Sequence, residues 1–203
     1  MIGHALSTSV RWIGRTSFGA LLASGITPNQ VTVIGFLLVL ANCLAYLLHQ
    51  DLFFLGLGLS LSYACDGLDG ALARRTGMTS GFGSYLDAVI DRYQEIVSYF
   101  VVGLVTGWWL AVFLLTTGAM LVSYNKAAVS LLMPIENKGW PDLMERPRRA
   151  WIFCAALMLD NAIPVEEALD GRLALLVLYY LAALTHFTAI QRFVRARRRL
   201  LAQ

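Results

Sequence analysis

The chain has 203 residues, 58% hydrophobic and 14% charged, with a mean hydropathy of +0.63. A soluble domain of this size carries roughly a quarter charged residues, so the composition excludes one and predicts a single polytopic membrane domain over 1–203. The net charge of +3 is small, no nucleic-acid partner is expected, and the distribution of charge is more informative than its sum.

Residues 4–24 set Val10, Trp12, Ile13, Phe18, Leu21 and Leu22 around Arg11 and Arg15, the pattern of an amphipathic helix lying on a membrane surface. No compact apolar run there ends in a small-residue cleavage site, so no cleavable signal peptide is expected. Gly25 ends this stretch, and Ile26-Thr27-Pro28-Asn29 reads as a cap and helix start. A first span is predicted over 30–49 and, after a turn at Asp51, a second over 52–75. A short loop with two glycines leads to a third span over 83–105. Gly107 and Trp108 mark an interface, where tryptophan is favoured, and a fourth span over 108–133 carries Lys126 near its end. The polar loop Pro134 to Arg149 precedes a short fifth span over 150–164, with Asp160 near its far end. An acidic loop then leads to a sixth span over 172–193, which runs into the basic tail Arg195 to Arg199. The predicted fold is an all-α integral membrane protein with six transmembrane helices and an N-terminal surface helix.

Six spans put both termini on one side. Fifteen of the 16 Lys and Arg residues, all but Arg172, then fall on that side. This is a strong positive-inside bias, so both termini are expected in the cytoplasm and the protein in the cell (inner) membrane. Cys43, Cys65 and Cys154 are scattered through apolar stretches and read as buried free thiols.

The stretch Asp66 to Asp91, DGLDGALARRTGMTSGFGSYLDAVID, organises the rest. Asp66 and Asp69 are spaced i,i+3, and Asp87 and Asp91 i,i+4, so each pair shares one face of a helix. Acids at the edge of a membrane are expensive unless paired or bound, and they mark function by default. Four gathered carboxylates cannot all stay ionised without cations, and hard oxygen ligands suit Mg²⁺ or Mn²⁺. Two such ions would suit a diphosphate undergoing in-line displacement. His4, His49 and His186 lie elsewhere in the sequence, which argues against a soft metal. A bland polar loop, its acids paired with Arg74, Arg75 and Arg92, would not need both acid pairs in helical register beside Gly70 and Ala73. A divalent-cation transport path would need polar groups through the depth of the membrane, whereas these acids gather at one face and the span middles are apolar.

The residues Asp66-x2-Asp69-Gly70-x2-Ala73-Arg74-x8-Gly83-x3-Asp87-x3-Asp91 resemble the signature of the CDP-alcohol phosphotransferases, eight positions at fixed spacing over 26 residues. The resemblance implies a membrane enzyme that displaces CMP from a CDP-linked lipid, CDP-diacylglycerol or an ether analogue, with an alcohol acceptor. It implies Asp66, Asp69, Asp87 and Asp91 as metal ligands, with Asp91 also the general base. Gly70 and Ala73 would admit the cytidine nucleotide and Arg74 its phosphates, while Asn29, Thr32 and Ser80 would complete the CDP-lipid site. A homodimer among membrane lipids is implied as well.

Lys126, Arg146, Arg149 and Arg192 form a second basic constellation from three elements, suited to a phosphorylated acceptor. The pattern Ser123-Tyr124-x-Lys126, Glu145-Arg146-Pro147-Arg148-Arg149 and Gln191-Arg192 resembles the phosphatidylinositol-phosphate synthase branch, with Arg148 where an acid is usual. That likeness makes inositol 1-phosphate the leading acceptor. Glycerol 3-phosphate also suits a basic pocket, and serine, choline or ethanolamine would need fewer cations.

Overall fold

The computed structural model describes residues 26–133, 143–160 and 172–201, with the side chains of 66–71 and 74–76 outside the description. The predicted surface helix over 4–24 lies outside the described residues. Six α-helices run through those residues: α1 Pro28–His49, α2 Leu52–Thr76, α3 Gly81–Thr106, α4 Trp109–Ser130, α5 Arg146–Leu159 and α6 Leu173–Leu200.

Local chemistry sets where these helices start and stop. At α1, Thr27 and Gln30 form a reciprocal capping box, the Thr27 N–H donating to Gln30 Oε1 at 2.8 Å and the Gln30 N–H to Thr27 Oγ1 at 3.3 Å. Pro28 occupies the first turn, where its missing N–H costs nothing. Asp51 caps α2 by accepting from the Phe53 N–H at 2.8 Å, and Ser80 caps α3 by accepting from the Gly83 N–H at 2.9 Å. Helices α2 and α3 end on Gly77 and Gly107, at φ +69° and +77°, where glycine avoids the Cβ penalty.

Helix α1 packs on α2 and α3, α2 on α5, α3 on α4, and α6 on both α4 and α5. Lipid tails are as apolar as leucine, so close packing rather than burial from water must hold such helices together. Small residues allow it. A Cβ on Gly56 would lie 2.8 Å from the Cys154 carbonyl on α5, and one on Gly118 would run into Thr185 Oγ1 on α6. The interior they enclose holds Tyr46, Leu55, Leu59, Tyr99, Leu115 and Phe153, with the Tyr99 and Phe153 rings edge-to-face at 4.9 Å. At one end, buried Asp160 accepts from the Ala174 N–H at 2.7 Å and pairs with Arg172 at 2.7 Å, so the end of α5 is tied to the start of α6. Arg172 also stacks over Trp108, 5.7 Å from the ring centroid.

Helices α1, α4 and α6 are each long and apolar enough to cross a membrane. Their outward faces are apolar too, with Leu48, Phe113 and Ile190 exposed, which suits hydrocarbon rather than water.

Three details depart from the sequence reading. Helix α5 begins at Arg146 instead of 150, because Pro147 is tolerated in a first turn and the arginines around it find partners. Helix α6 continues to Leu200, so the basic tail is its last two turns. Cys43 and Cys154 are buried, but Cys65 is exposed, since an apolar neighbourhood does not imply burial where the outer surface is itself apolar.

Candidate active site

Two neighbouring regions make up the candidate site. The first is a cavity of about 210 Å³ between the start of α1, the end of α2 and the start of α3. Asn29, Thr32, Ala73, Ser80, Gly83 and Asp87 line it, so five of the residues assigned above to the CDP-lipid and the metals meet in one place, with Gly83 beside them. Gly83 is needed for this close approach: a Cβ there would lie 2.9 Å from Asn29 Oδ1 and 3.0 Å from Ser80 Oγ. Ser80 thus both caps α3 and lines the cavity. Thr32 donates to the Pro28 carbonyl at 3.2 Å, which fixes its hydroxyl against the first turn of α1.

The helical backbone of α2 puts positions 66, 69 and 73 on one face by register, and Ala73 of that face lines the cavity. The side chains of Asp66, Asp69 and Arg74 lie outside the described residues. On α3, Asp87 lines the cavity and Asp91 follows one turn later. Among the described residues no group of three His, Cys, Asp or Glu converges. The cavity brings carboxylate and hydroxyl oxygens and no thiol or imidazole, a donor set that fits a hard divalent cation.

The second region is a ladder of charges between α3 and α5. Asp91 Oδ1 and Arg146 Nη1 pair at 2.5 Å, and Arg146 Nη2 donates to Gln94 Oε1. The Arg146 guanidinium also lies over Tyr63, 5.7 Å from the ring centroid. One turn along, Glu95 Oε1 accepts from Arg149 Nε at 2.8 Å and from Arg149 Nη2 at 2.5 Å. The other Glu95 oxygen accepts from Arg92 Nη1 at 3.2 Å, and Arg92 also donates to Ser123 Oγ on α4 at 2.7 Å.

The basic residues assigned to an acceptor phosphate are not all presented alike. Arg146 sits beside Asp91, half-buried. Lys126 is exposed on α4, one turn beyond Val122, and the Val122 carbonyl accepts from Arg192 of α6, so these two cations belong to one end of the α4–α6 pair. Arg149 is 0% exposed, with its fork turned to Glu95 and its Nη1 donating to the Met144 carbonyl at 3.2 Å. The sequence reading missed Gln94 and Glu95. The signal was present: a Gln and a Glu inside a predicted span, about one turn beyond Asp91.

The sequence pattern of the CDP-alcohol phosphatidyltransferase family matches residues 25–190. The chain belongs to that family. It is 37% identical over 193 residues to the archaetidylinositol phosphate synthase of Pyrococcus horikoshii, covering 90% of each chain. It is 30% identical over 158 residues to the phosphatidylinositol phosphate synthase of Mycobacteroides abscessus, covering 72% of this chain and 69% of that one. The fold matches a crystal structure of Mycobacterium tuberculosis phosphatidylinositol phosphate synthase with CDP-DAG bound, at TM-score 0.76 and 24% identity, over 91% of this chain and 93% of that chain. A structure of the same mycobacterial enzyme with manganese and citrate matches at TM-score 0.74 and 23% identity, over 90% and 88% of the two chains. As a CDP-alcohol phosphatidyltransferase, the protein is a membrane phosphotransferase of phospholipid synthesis that moves a phosphatidyl-type group from a CDP-linked lipid to an alcohol.

Proposed function

We propose that the acceptor is inositol 1-phosphate, and that the product is a lipid carrying inositol phosphate. The observation that carries this reading is the meeting of Asp91 with Arg146 beside the Asp87 cavity. A carboxylate able to take a proton from a hydroxyl stands next to a guanidinium able to bind a phosphate on the same acceptor. The inositol phosphate synthases among the relatives support the same choice.

In this reading the cytidine end of the donor occupies the cavity lined by Asn29, Thr32, Ala73 and Ser80. Gly70 leaves room beside it, and Arg74 reaches the diphosphate with charge-assisted bonds. Asp66, Asp69, Asp87 and Asp91 would hold divalent cations, Mg²⁺ or Mn²⁺ and two in number, which would supply positive charge for the diphosphate and the leaving CMP. Arg146, with Lys126 and Arg192, receives the acceptor phosphate. The acceptor hydroxyl oxygen attacks the lipid-side phosphorus, its proton passes to Asp91, and the bond to the CMP phosphate breaks with its electron pair leaving on CMP. All six helices span the membrane, with the site and both termini on the cytoplasmic side, a topology that rests on the one-sided distribution of Lys and Arg.

Label transfer tests the reading. Inositol 1-[³²P]phosphate should carry its label into the organic phase in the presence of protein, CDP-linked lipid and Mg²⁺, and not without either of the last two. Label remaining in the aqueous phase, while another alcohol enters lipid under the same conditions, would overturn the acceptor assignment.

A further inference from the structure

We propose that the outer face of the end of α6 is a binding site for an anionic phospholipid, its phosphate held between Arg195 and Arg198 and its tails lying along Ile190 and Val194. The site stands apart from the transfer chemistry and does not depend on the identity of the acceptor. It rests on α6 as a helix long and apolar enough to cross the membrane.

Arg195 and Arg198 lie at the height of phospholipid phosphates. Arg172 caps the start of α6, and from there to Arg195 the helix rises about 35 Å at 1.5 Å per residue. That is slightly more than a hydrocarbon core of about 30 Å. Between Arg172 and Arg195 the sequence has one other Lys, Arg, Asp or Glu, Arg192, which is buried and donates to the Val122 carbonyl of α4. The outer face of α6 therefore carries no charge until Arg195.

The same face is apolar along its length. Leu176, Tyr180, Phe187, Ile190 and Val194 are exposed, at spacings of three, four and seven residues, and so form a single stripe down one side of the helix. Arg198 follows Val194 by four residues and continues the stripe. A groove of about 300 Å³ runs along this side, lined by Ile190, Gln191, Val194, Arg195 and Arg198. Two guanidiniums at one end of an apolar groove complement a phosphodiester carried on alkyl chains. A free phosphate would leave the apolar wall unused. The basic tail is not a uniform surface, because Arg197 lines a different groove against Asn125 and Val129 of α4.

This end of α6 is also held in place. Ala196 is buried with Val129 of α4, Met133 packs against both, and Asn125 donates to the Ala189 carbonyl at 3.1 Å. The two arginines are thus presented by a helix fixed to its neighbour, which lowers the ordering cost of binding.

The test counts lipids retained by the full chain. Purified protein in a neutral detergent is mixed with equal amounts of phosphatidylglycerol and phosphatidylcholine, and native mass spectrometry reads which stays bound. Wild type is expected to retain phosphatidylglycerol with about tenfold preference. Arg198→Gln and Arg195→Gln should each lower that retention about fivefold, whereas Arg197→Gln, which removes the same charge from another side of the helix, should leave it near wild type. Arg198 is exposed, so Arg198→Gln carries the test by itself if Arg195→Gln does not fold. Equal retention of the two lipids would overturn the proposal. Equal loss in all three variants would overturn it as a diffuse basic surface, and no change in any of them would place the bound lipid elsewhere. Displacement of the lipid by excess inorganic phosphate would assign the cations to a free anion instead. A second chain bound in place of lipid, and released by Arg198→Gln, would assign the groove to a dimer contact and overturn the proposal as well.

Discussion

Asp91 on α3 and Arg146 on α5 meet at 2.5 Å, so a carboxylate of the signature touches a cation from the second half of the chain. In the proposed reading this contact joins the donor half of the site to the acceptor half. If Asp91 is the base, Asp91→Asn should lower kcat by about 100-fold or more, while CDP-lipid binding is largely kept. Single-turnover CMP release together with equilibrium donor binding checks this. Retained turnover would remove Asp91 as the base.

Arg146→Ala should act on the acceptor. The variant loses a fork within reach of both Asp91 and an incoming phosphate, so acceptor KM should rise at least about tenfold and donor KM should change far less. Lys126→Ala and Arg192→Ala should move the same constant in the same direction. Steady-state kinetics with each substrate varied in turn is the measurement, and an unchanged acceptor KM in all three variants would return these cations to a membrane-surface role.

Two glycines at the start of α3 make a matched pair. A Cβ on Gly83 would crowd Asn29 and Ser80, whereas one on Gly81 meets no described atom within 4 Å. Gly83→Ala should therefore displace Asn29 from the cavity and cut kcat/KM for the donor about tenfold, while Gly81→Ala should leave it near wild type. Equal effects of the two changes would show that the cavity tolerates a shift of Asn29.

Gly118 should report on the fold instead. Its α-carbon faces Thr185 too closely for a Cβ, and Thr185 is itself held by the Ala182 carbonyl at 2.9 Å. Gly118→Val should cost about 1–3 kcal/mol through overpacking of α4 against α6. The expected outcome is a lower unfolding temperature in detergent with kcat per folded molecule unchanged.

Much of this was legible from residues alone, because local chemistry decides it. The cap at Thr27, the turn at Asp51, the two-glycine loop before α3 and the break at Gly107 are short-range features, and the structure has each in place. The four aspartates fall on α2 and α3 because their spacing is helical. What escaped depends on partners distant in sequence. The segment Arg146-Pro147-Arg148-Arg149 reads as a polar loop until Glu95, 54 residues away, takes up Arg149. For the same reason the burial of Arg149 against Glu95 does not show in the sequence. Cys65 misleads in the opposite sense, since apolar neighbours signal burial only when the surroundings are water.

The most direct measurement is CMP release by the purified protein with CDP-diacylglycerol and Mg²⁺, comparing inositol 1-phosphate with inositol, glycerol 3-phosphate, serine and choline. Release that depends on inositol 1-phosphate and is absent with inositol is the predicted result, because Arg146, Lys126 and Arg192 are read as ligands of the acceptor's phosphate. Release with inositol or serine at equal or greater rate would contradict that reading of the basic residues and leave the transfer chemistry at Asp91 in place.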